Sequence, residues 1–347
     1  MTPALRIERP LESFLALPPA LRSRVWDLVE TRRNMEGFVS RVAMPDFRWN
    51  WHHRVLADDL TRVANGEITR YMCFMPPRHA KTLFCSTFFP AFVLGRDPGA
   101  QIISAAYAAS QARTYNRSTQ RVMMTEEYRA AFPGTALNSR NVRTILKGQG
   151  GVEVDALRNA DEFEIVGSKG YYKSAGILGG VTGRGANFII IDDPIKGRAA
   201  ANSPVIRRGV WDEYTASFYS RLENYRGCDG RIILLLTRWH EDDLAGQLID
   251  QEGRVEDGGV WFVRRFPAIL DEEPGPDDPR EPGEALWPSK RSAAQWATMQ
   301  KLSPLDYESL GQQRPRRQGG GIFPGTAFEW YGGAAPPTIR QRMEAAQ

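Results

Sequence analysis

The sequence predicts an α/β fold, a mostly parallel central sheet covered by helices on both faces, and three stretches predict it. Tyr71-Met72-Cys73-Phe74-Met75, Phe188-Ile189-Ile190-Ile191 and Arg231-Ile232-Ile233-Leu234-Leu235-Leu236 are short, nearly unbroken apolar runs. Runs without polar alternation suit strands buried on both faces of a parallel sheet. Polar residues and then a helical pattern follow the strands, and such alternation marks layered α/β proteins.

Taken in order, residues 1–50 read as a helical lead-in, with Pro18-Pro19 before a helical pattern from Ala20 to Arg33. Asn50-Trp51-His52-His53 precedes a second helix, about Arg54 to Ala64, closed by the turn Asn65-Gly66. Trp51 or a neighbouring histidine is placed to stack on a nucleobase; plain packing of Trp51 against its helix is the equal reading. The histidines have no metal-ligand spacing. The core, residues 51–270, then alternates. Strand 71–75 leads to a helix over 82–94, and strand 101–106 to a helix over 110–124. A polar insert, 134–161, mixes loops and β-structure, and Glu164 to Ala175 reads as a strand or hairpin. Strand 187–192 is followed by a helix opened by Asn202-Ser203-Pro204, a cap signal with proline at the first helical position. Strands 231–236 and about 260–266 complete the sheet. Residues 271–325 read as a linker and small lid: a Pro-, Asp- and Glu-rich stretch to Pro288, then two helices broken at Ser303-Pro304. Residues 326–347 form a tail.

Chemistry enters with Pro76-Pro77-Arg78-His79-Ala80-Lys81-Thr82, between the first strand and its helix. Strand, loop, helix is the order a nucleoside-triphosphate site needs, because backbone N–H groups of the loop and of the helix start cradle phosphates. Pro77, Arg78, His79 and Ala80 would line the phosphates, Lys81 would reach the β/γ-phosphates, and the Thr82 hydroxyl would ligate Mg²⁺. The general pattern wants glycine where Met75 and Ala80 stand, and an ordinary strand–turn–helix with a surface lysine is the bland alternative. Asp192 and Asp193 end the second apolar run, where α/β sheets place their ligands. Asp192 would hold Mg²⁺, and Asp193 would orient and polarise the attacking water. Ordinary capping or turn roles are the alternative for both. Thr237, at the tip of the third run, is placed to sense the γ-phosphate and couple its loss to motion. Asp242 and Asp243 read as the negatively charged first turn of a helix running through Ile249; Glu241 stays open.

The chain has 347 residues, 42% hydrophobic and 25% charged, which are globular values. That length suits two or three domains, or one large α/β domain with appendages. No apolar run approaches the ~20 residues of a membrane span. Cys73, Cys85 and Cys228 lack paired spacing and read as buried reduced thiols. The net charge of +4 permits a polyanion partner without requiring one. Basic residues gather at Arg140, Arg143 and Lys147, at Arg198, Arg207 and Arg208, and at Arg314, Arg316 and Arg317. Scattered cations of this kind suit contact with phosphates without base reading, and solvated basic faces are the plain alternative.

Pro-Pro-Arg-His-Ala-Lys-Thr, Ile-Ile-Asp-Asp-Pro-Ile-Lys and Leu-Thr-Arg-Trp-His-Glu-Asp-Asp-Leu together resemble the large terminase subunit of tailed bacteriophages and prophages. Thr182-Gly183-Arg184-Gly185, Gln312-Gln313-Arg314-Pro315 and Gly319-Gly320-Gly321 add to the likeness, which runs from about Trp51 to about Phe323. The resemblance implies a P-loop NTPase of ASCE type that uses ATP and Mg²⁺ to drive double-stranded DNA into a procapsid in the host cytoplasm. It implies a portal protein and a small terminase subunit as partners, and a homo-oligomeric ring, a pentamer, when active. It makes Arg184 the leading arginine finger, supplied in trans. Two departures stand out: the family's usual glycine before the lysine is Ala80, and Asp193 replaces a common glutamate. The family's nuclease carboxylates would lie beyond Gln347, so the chain as given is not expected to cut DNA and reads as an ATPase fragment or a naturally short protein. Two other readings share the site: a helicase-like nucleic-acid ATPase, and a nucleotide-binding assembly factor that does not hydrolyse.

Overall fold

The computed structural model describes residues 14–138, 144–147 and 153–315, and all of them belong to one compact unit. Its centre is a seven-stranded sheet. The strands are β1 (Arg70–Phe74), β2 (Gln101–Ala106), β5 (Glu162–Glu164), β6 (Tyr171–Gly176), β7 (Phe188–Asp192), β8 (Arg231–Leu236) and β9 (Phe262–Arg265). Their order is β5-β6-β2-β7-β8-β1-β9, and every pairing is parallel except that of β5 with β6. β3 (Thr144–Lys147) and β4 (Glu153–Ala156) pair separately as an antiparallel ribbon in the polar insert.

Each residue of β7 and β8 is buried, and the period-2 alternation of a strand sends neighbours to opposite faces. Ile190, Ile233 and Leu235 pack into one core with Leu56, Leu60, Phe84, Phe88 and Phe92. Ile189, Ile191, Ile232 and Leu234 pack into the other with Val210, Tyr214, Phe218 and Leu248. Two apolar faces are what an unbroken apolar run supplies, so the parallel sheet follows from the composition of its central strands. The lead-in does not stand apart: Met35, Phe38, Val39 and Val42 are buried in the first of these cores. Residues 268–307 carry their own small cluster of Ala268, Ala285, Trp296 and Tyr307.

Four local features differ from expectation. The helix after the phosphate loop is not uniform. Leu83–Phe88 is π-helical, and an α-helix, Phe89–Arg96, continues it. Pro90 accounts for this, since it has no N–H for the Ser86 carbonyl and its ring crowds that oxygen, so the preceding turn opens. The freed carbonyl accepts the Tyr172 hydroxyl instead, at 3.4 Å. The second helix starts earlier than expected, at Trp51, because the His53 Nδ1 accepts the Asn50 N–H at 3.0 Å as a cap; it ends at Gly66, where φ is 89°. Asp242 and Asp243 do not form a charged first turn. The helix begins at Leu244, with Asp243 as its N-cap accepting the Gly246 N–H at 3.0 Å. Cys73 and Cys85 are buried as expected, but Cys228 is exposed, because it lies in the turn leading to β8 rather than in the strand.

Candidate nucleotide site

The phosphate loop leaves β1 at the carboxyl edge of the sheet. Arg78 and Ala80 take left-handed backbone conformations, with φ of 62° and 74°. Ala80 thus adopts the geometry that glycine supplies without penalty. The Phe84 N–H bonds to the Ala80 carbonyl at 3.0 Å, which starts the helix at the loop's end. The Lys81 side chain lies buried under the loop. Its Nζ donates to the Thr237 hydroxyl and to the Met75 carbonyl (3.4 Å), and it faces the Asp193 carboxylate at 3.1 Å.

Strand order makes these meetings possible. β8 lies between β1 and β7, so Thr237 sits between the lysine's loop and the paired aspartates. Asp193 follows β7 with φ of 44°, and its carboxylate accepts the Thr237 N–H at 2.6 Å. Asp192 is the last residue of β7 and is buried. Its Oδ1 accepts the Thr82 hydroxyl at 3.3 Å and its Oδ2 the Ser86 hydroxyl at 2.7 Å. Burial pushes the Asp192 carboxyl up to about 7, the Asp193 charge adds to the rise, and Lys81 opposes it. Removal from water disfavours the carboxylate, and the acid beside it does the same.

These groups open onto a cavity of about 800 Å³. Pro77, Arg78, Ala80, Lys81, Thr82, Asp192, Asp193 and Thr237 line it, together with the aromatic residues Phe47, Tyr107, Tyr115, Trp239 and Trp287. This aromatic lining was not foreseen, and no local signal marks Trp287, which follows the Pro- and acid-rich loop. Ser86 was missed as well, although its place one turn beyond Thr82 was readable.

Three expected site residues lie elsewhere. His79 does not line the cavity. It is buried behind the loop, its Nδ1 2.9 Å from the Pro77 carbonyl and its ring packed near those of His52, Trp287 and Trp296. Trp51 does not line it either: its ring packs against Phe266 and carries the Arg280 guanidinium at 5.2 Å, which is the packing role. Arg184 is held by ion pairs to Glu162 and Glu164, the edge hairpin of the sheet, and lies 4.6 Å over the Tyr171 ring.

Residues 72–325 match the family described as the N-terminal part of the T4likevirus-type terminase large subunit. The chain belongs to this family. Its sheet carries Lys81 on the loop after β1 and the two aspartates at the tip of β7. No curated protein matches the terminase chain in sequence. Among solved structures it is similar to the large terminase of bacteriophage HK97, at 14% identity over 82% of this chain and 55% of that one, with a TM-score of 0.49. It is also similar to the large terminase ATPase domain of Thermus phage P74-26, at 12% identity over 78% of this chain and 94% of that one, with a TM-score of 0.42. These likenesses are distant, and the assignment rests on the sequence match. The terminase chain spans about half the length of the HK97 protein.

The expected basic clusters are tied down where they are described. Arg198 pairs with Asp306, Arg207 with Asp242 at 3.0 Å, and Arg208 with Asp212 at 2.9 Å. Arg314 pairs with Asp271 and with Glu308 at 3.5 Å. Arg140, Arg143, Arg316, Arg317, the Gly319–Gly321 run and the tail over 326–347 lie outside the described residues, and so does the Lys147 side chain. No described helix is long and apolar enough to cross a membrane.

Proposed function

We propose that this chain is the ATP-hydrolysing part of a viral DNA-packaging motor. One observation carries the reading: Lys81, Asp192, Asp193 and Thr237, from the tips of three adjacent strands, converge on one cavity that the Thr82 hydroxyl also lines. The loop N–H groups and Lys81 would bind the phosphates of ATP. The base would lie against aromatic lining residues such as Phe47 and Trp287 rather than Trp51.

The donor set fits Mg²⁺. Thr82 and a buried carboxylate are hard oxygen ligands, and Mg²⁺ takes one or two such groups together with phosphate oxygens. Bound with the nucleotide, Mg²⁺ would neutralise charge on the β- and γ-phosphates. In the structure Lys81 holds the Asp193 carboxylate. Arrival of the phosphates gives Lys81 a stronger anionic partner and releases Asp193 to orient water against the γ-phosphorus. Thr237 donates its N–H to the same carboxylate, so its strand tip responds when that carboxylate moves.

Family membership supports the following reading of the partners. Double-stranded DNA is the translocated substrate, the portal protein and small terminase subunit are the assembly contacts, and a ring of copies, a pentamer, in the host cytoplasm is the working form. Arg184 would act in that ring as a finger on a neighbour's γ-phosphate, exchanging Glu162 and Glu164 for phosphate oxygens. The test is ATP turnover with and without linear duplex DNA. Turnover that requires Mg²⁺ and rises with duplex DNA supports the motor. Tight ATP binding without turnover, with or without DNA, would establish the non-hydrolysing reading instead.

A further inference from the structure

Ser86 stands outside every role given above, yet it is fully buried and points at the most important carboxylate of the site. It lies four residues beyond Thr82, in the π-helical stretch Leu83–Phe88. Residues four apart on a helix lie on the same face, one turn above the other. Thr82 and Ser86 therefore address the same side chain. Thr82 donates to Oδ1 of Asp192 and Ser86 to Oδ2, at 3.3 and 2.7 Å. The π turn is itself fixed from outside: Pro90 cannot bond the Ser86 carbonyl, and Tyr172 from β6 donates its hydroxyl there instead. Both the side chain and the backbone of Ser86 are thus held in place, the first by β7 and the second by β6.

We infer that Ser86 is a positioning residue for the cation: by occupying Oδ2 of Asp192 it fixes the carboxylate's rotation and presents Oδ1, beside Thr82, to Mg²⁺. The inference rests on the proposed reading of this cavity as a Mg²⁺–nucleotide site. A hydroxyl in this place acts through another residue and touches neither nucleotide nor metal. Partners of this kind characteristically change metal affinity by about 10–100-fold when removed.

The test measures binding of a fluorescent ATP analogue to the full chain as Mg²⁺ is titrated, in wild type, Ser86→Ala, Asp192→Asn and the double variant. Ser86→Ala is expected to raise the Mg²⁺ concentration at half-saturation by about 10-fold or more. Affinity for the analogue in EDTA should stay at the wild-type value. In the Asp192→Asn background, Ser86→Ala should shift the Mg²⁺ dependence no further, because the group it positions is gone. Equal weakening in EDTA and in Mg²⁺ would overturn the inference in favour of a packing role, and so would an unchanged Mg²⁺ dependence or an undiminished shift in the double variant. A wild type whose binding ignores Mg²⁺ would overturn the reading of the site, and Ser86 with it.

Discussion

Ala80 places a side chain where the backbone favours none. At φ of 74° an alanine sits in the left-handed region, at a cost of about 1–2 kcal/mol against glycine's freedom there. Glycine would give back part of that through the entropy of the unfolded chain. Ala80→Gly should therefore stabilise the protein by about 0.5–1 kcal/mol, read as a higher urea midpoint with an unchanged slope. A lower midpoint would mean that the loop gains more from the alanine methyl than its backbone loses. For the charged residues of the site the proposed function predicts effects on chemistry. Lys81→Ala should cut turnover by about 10²-fold or more, since it removes a buried cation aimed at developing phosphate charge. Asp193→Asn should retain ATP binding and lose about 10²–10⁴ in turnover, whereas Asp192→Asn should also weaken Mg²⁺-dependent binding. Equal binding losses from the two aspartate variants would show that their roles are wrongly divided.

Elements explain which parts of the site could be read in advance. β1, β7 and β8 were legible because a strand buried on both faces must be apolar throughout, and the polar residues at its tip then announce the ligand edge. Lys81, Asp192, Asp193 and Thr237 could be placed for that reason. The π turn was not legible, because Pro90 acts backward on a carbonyl four residues earlier and a periodicity of apolar residues does not register it. Nor was Trp287, which reaches the cavity only through tertiary packing. The segment after β9 shows the same limit. Gln312 is fully buried, and its amide reproduces a backbone pairing: Oε1 accepts the Ile269 N–H at 3.0 Å, and Nε2 donates to the Ile269 carbonyl at 2.9 Å. Gln313, at φ of 56°, accepts the Arg238 N–H at 3.2 Å, one residue beyond Thr237. The Gln-Gln pair thus fastens the last described turn to the segment after β9 through Gln312 and to the tip of β8 through Gln313. Gln312→Ala should lower stability by about 1–3 kcal/mol in urea unfolding, because both Ile269 groups lose their partner. A loss under a few tenths would mean that water takes the amide's place.

At the scale of the whole molecule, two properties depend on groups far apart in the chain. The first is assembly. Arg184 faces Glu162 and Glu164 and does not line its own chain's cavity, and the proposed part in a neighbour's site is open to a direct test. Mixing Arg184→Ala with Asp193→Asn under assembling conditions should restore turnover, as intact fingers meet intact sites; no recovery, with assembly confirmed, would leave Arg184 acting in cis or merely holding the hairpin. The second is acid stability. His52, His53 and His79 pack together behind the phosphate loop, each with an Nε2 that has no hydrogen-bond partner. Burial, followed by the neighbouring histidines, takes His52 down to about 2; burial and then His79 take His53 to about 3; burial lowers His79. In the unfolded chain each returns to its ordinary value of 6.5. Below that pH the unfolded state binds protons that the folded state refuses, so this stability is complete above 6.5 and falls as the medium is acidified, by about 1.4 kcal/mol per pH unit for each of His52 and His53, with His79 acting in the same direction. Asp192 works in the opposite direction. Its folded value of about 7 exceeds its ordinary 3.8, so the folded state binds the extra proton between those values and gains stability as pH falls through 7. Comparison with a variant separates the two. Urea unfolding of wild type and His52→Gln from pH 8 to pH 4.5 should give stability curves that differ by a constant above about pH 7 and converge below pH 6, as the variant sheds about one proton's worth of slope. Curves that stay parallel throughout would mean that His52 accepts its proton in the folded state, and that the cluster behind the loop is open to water.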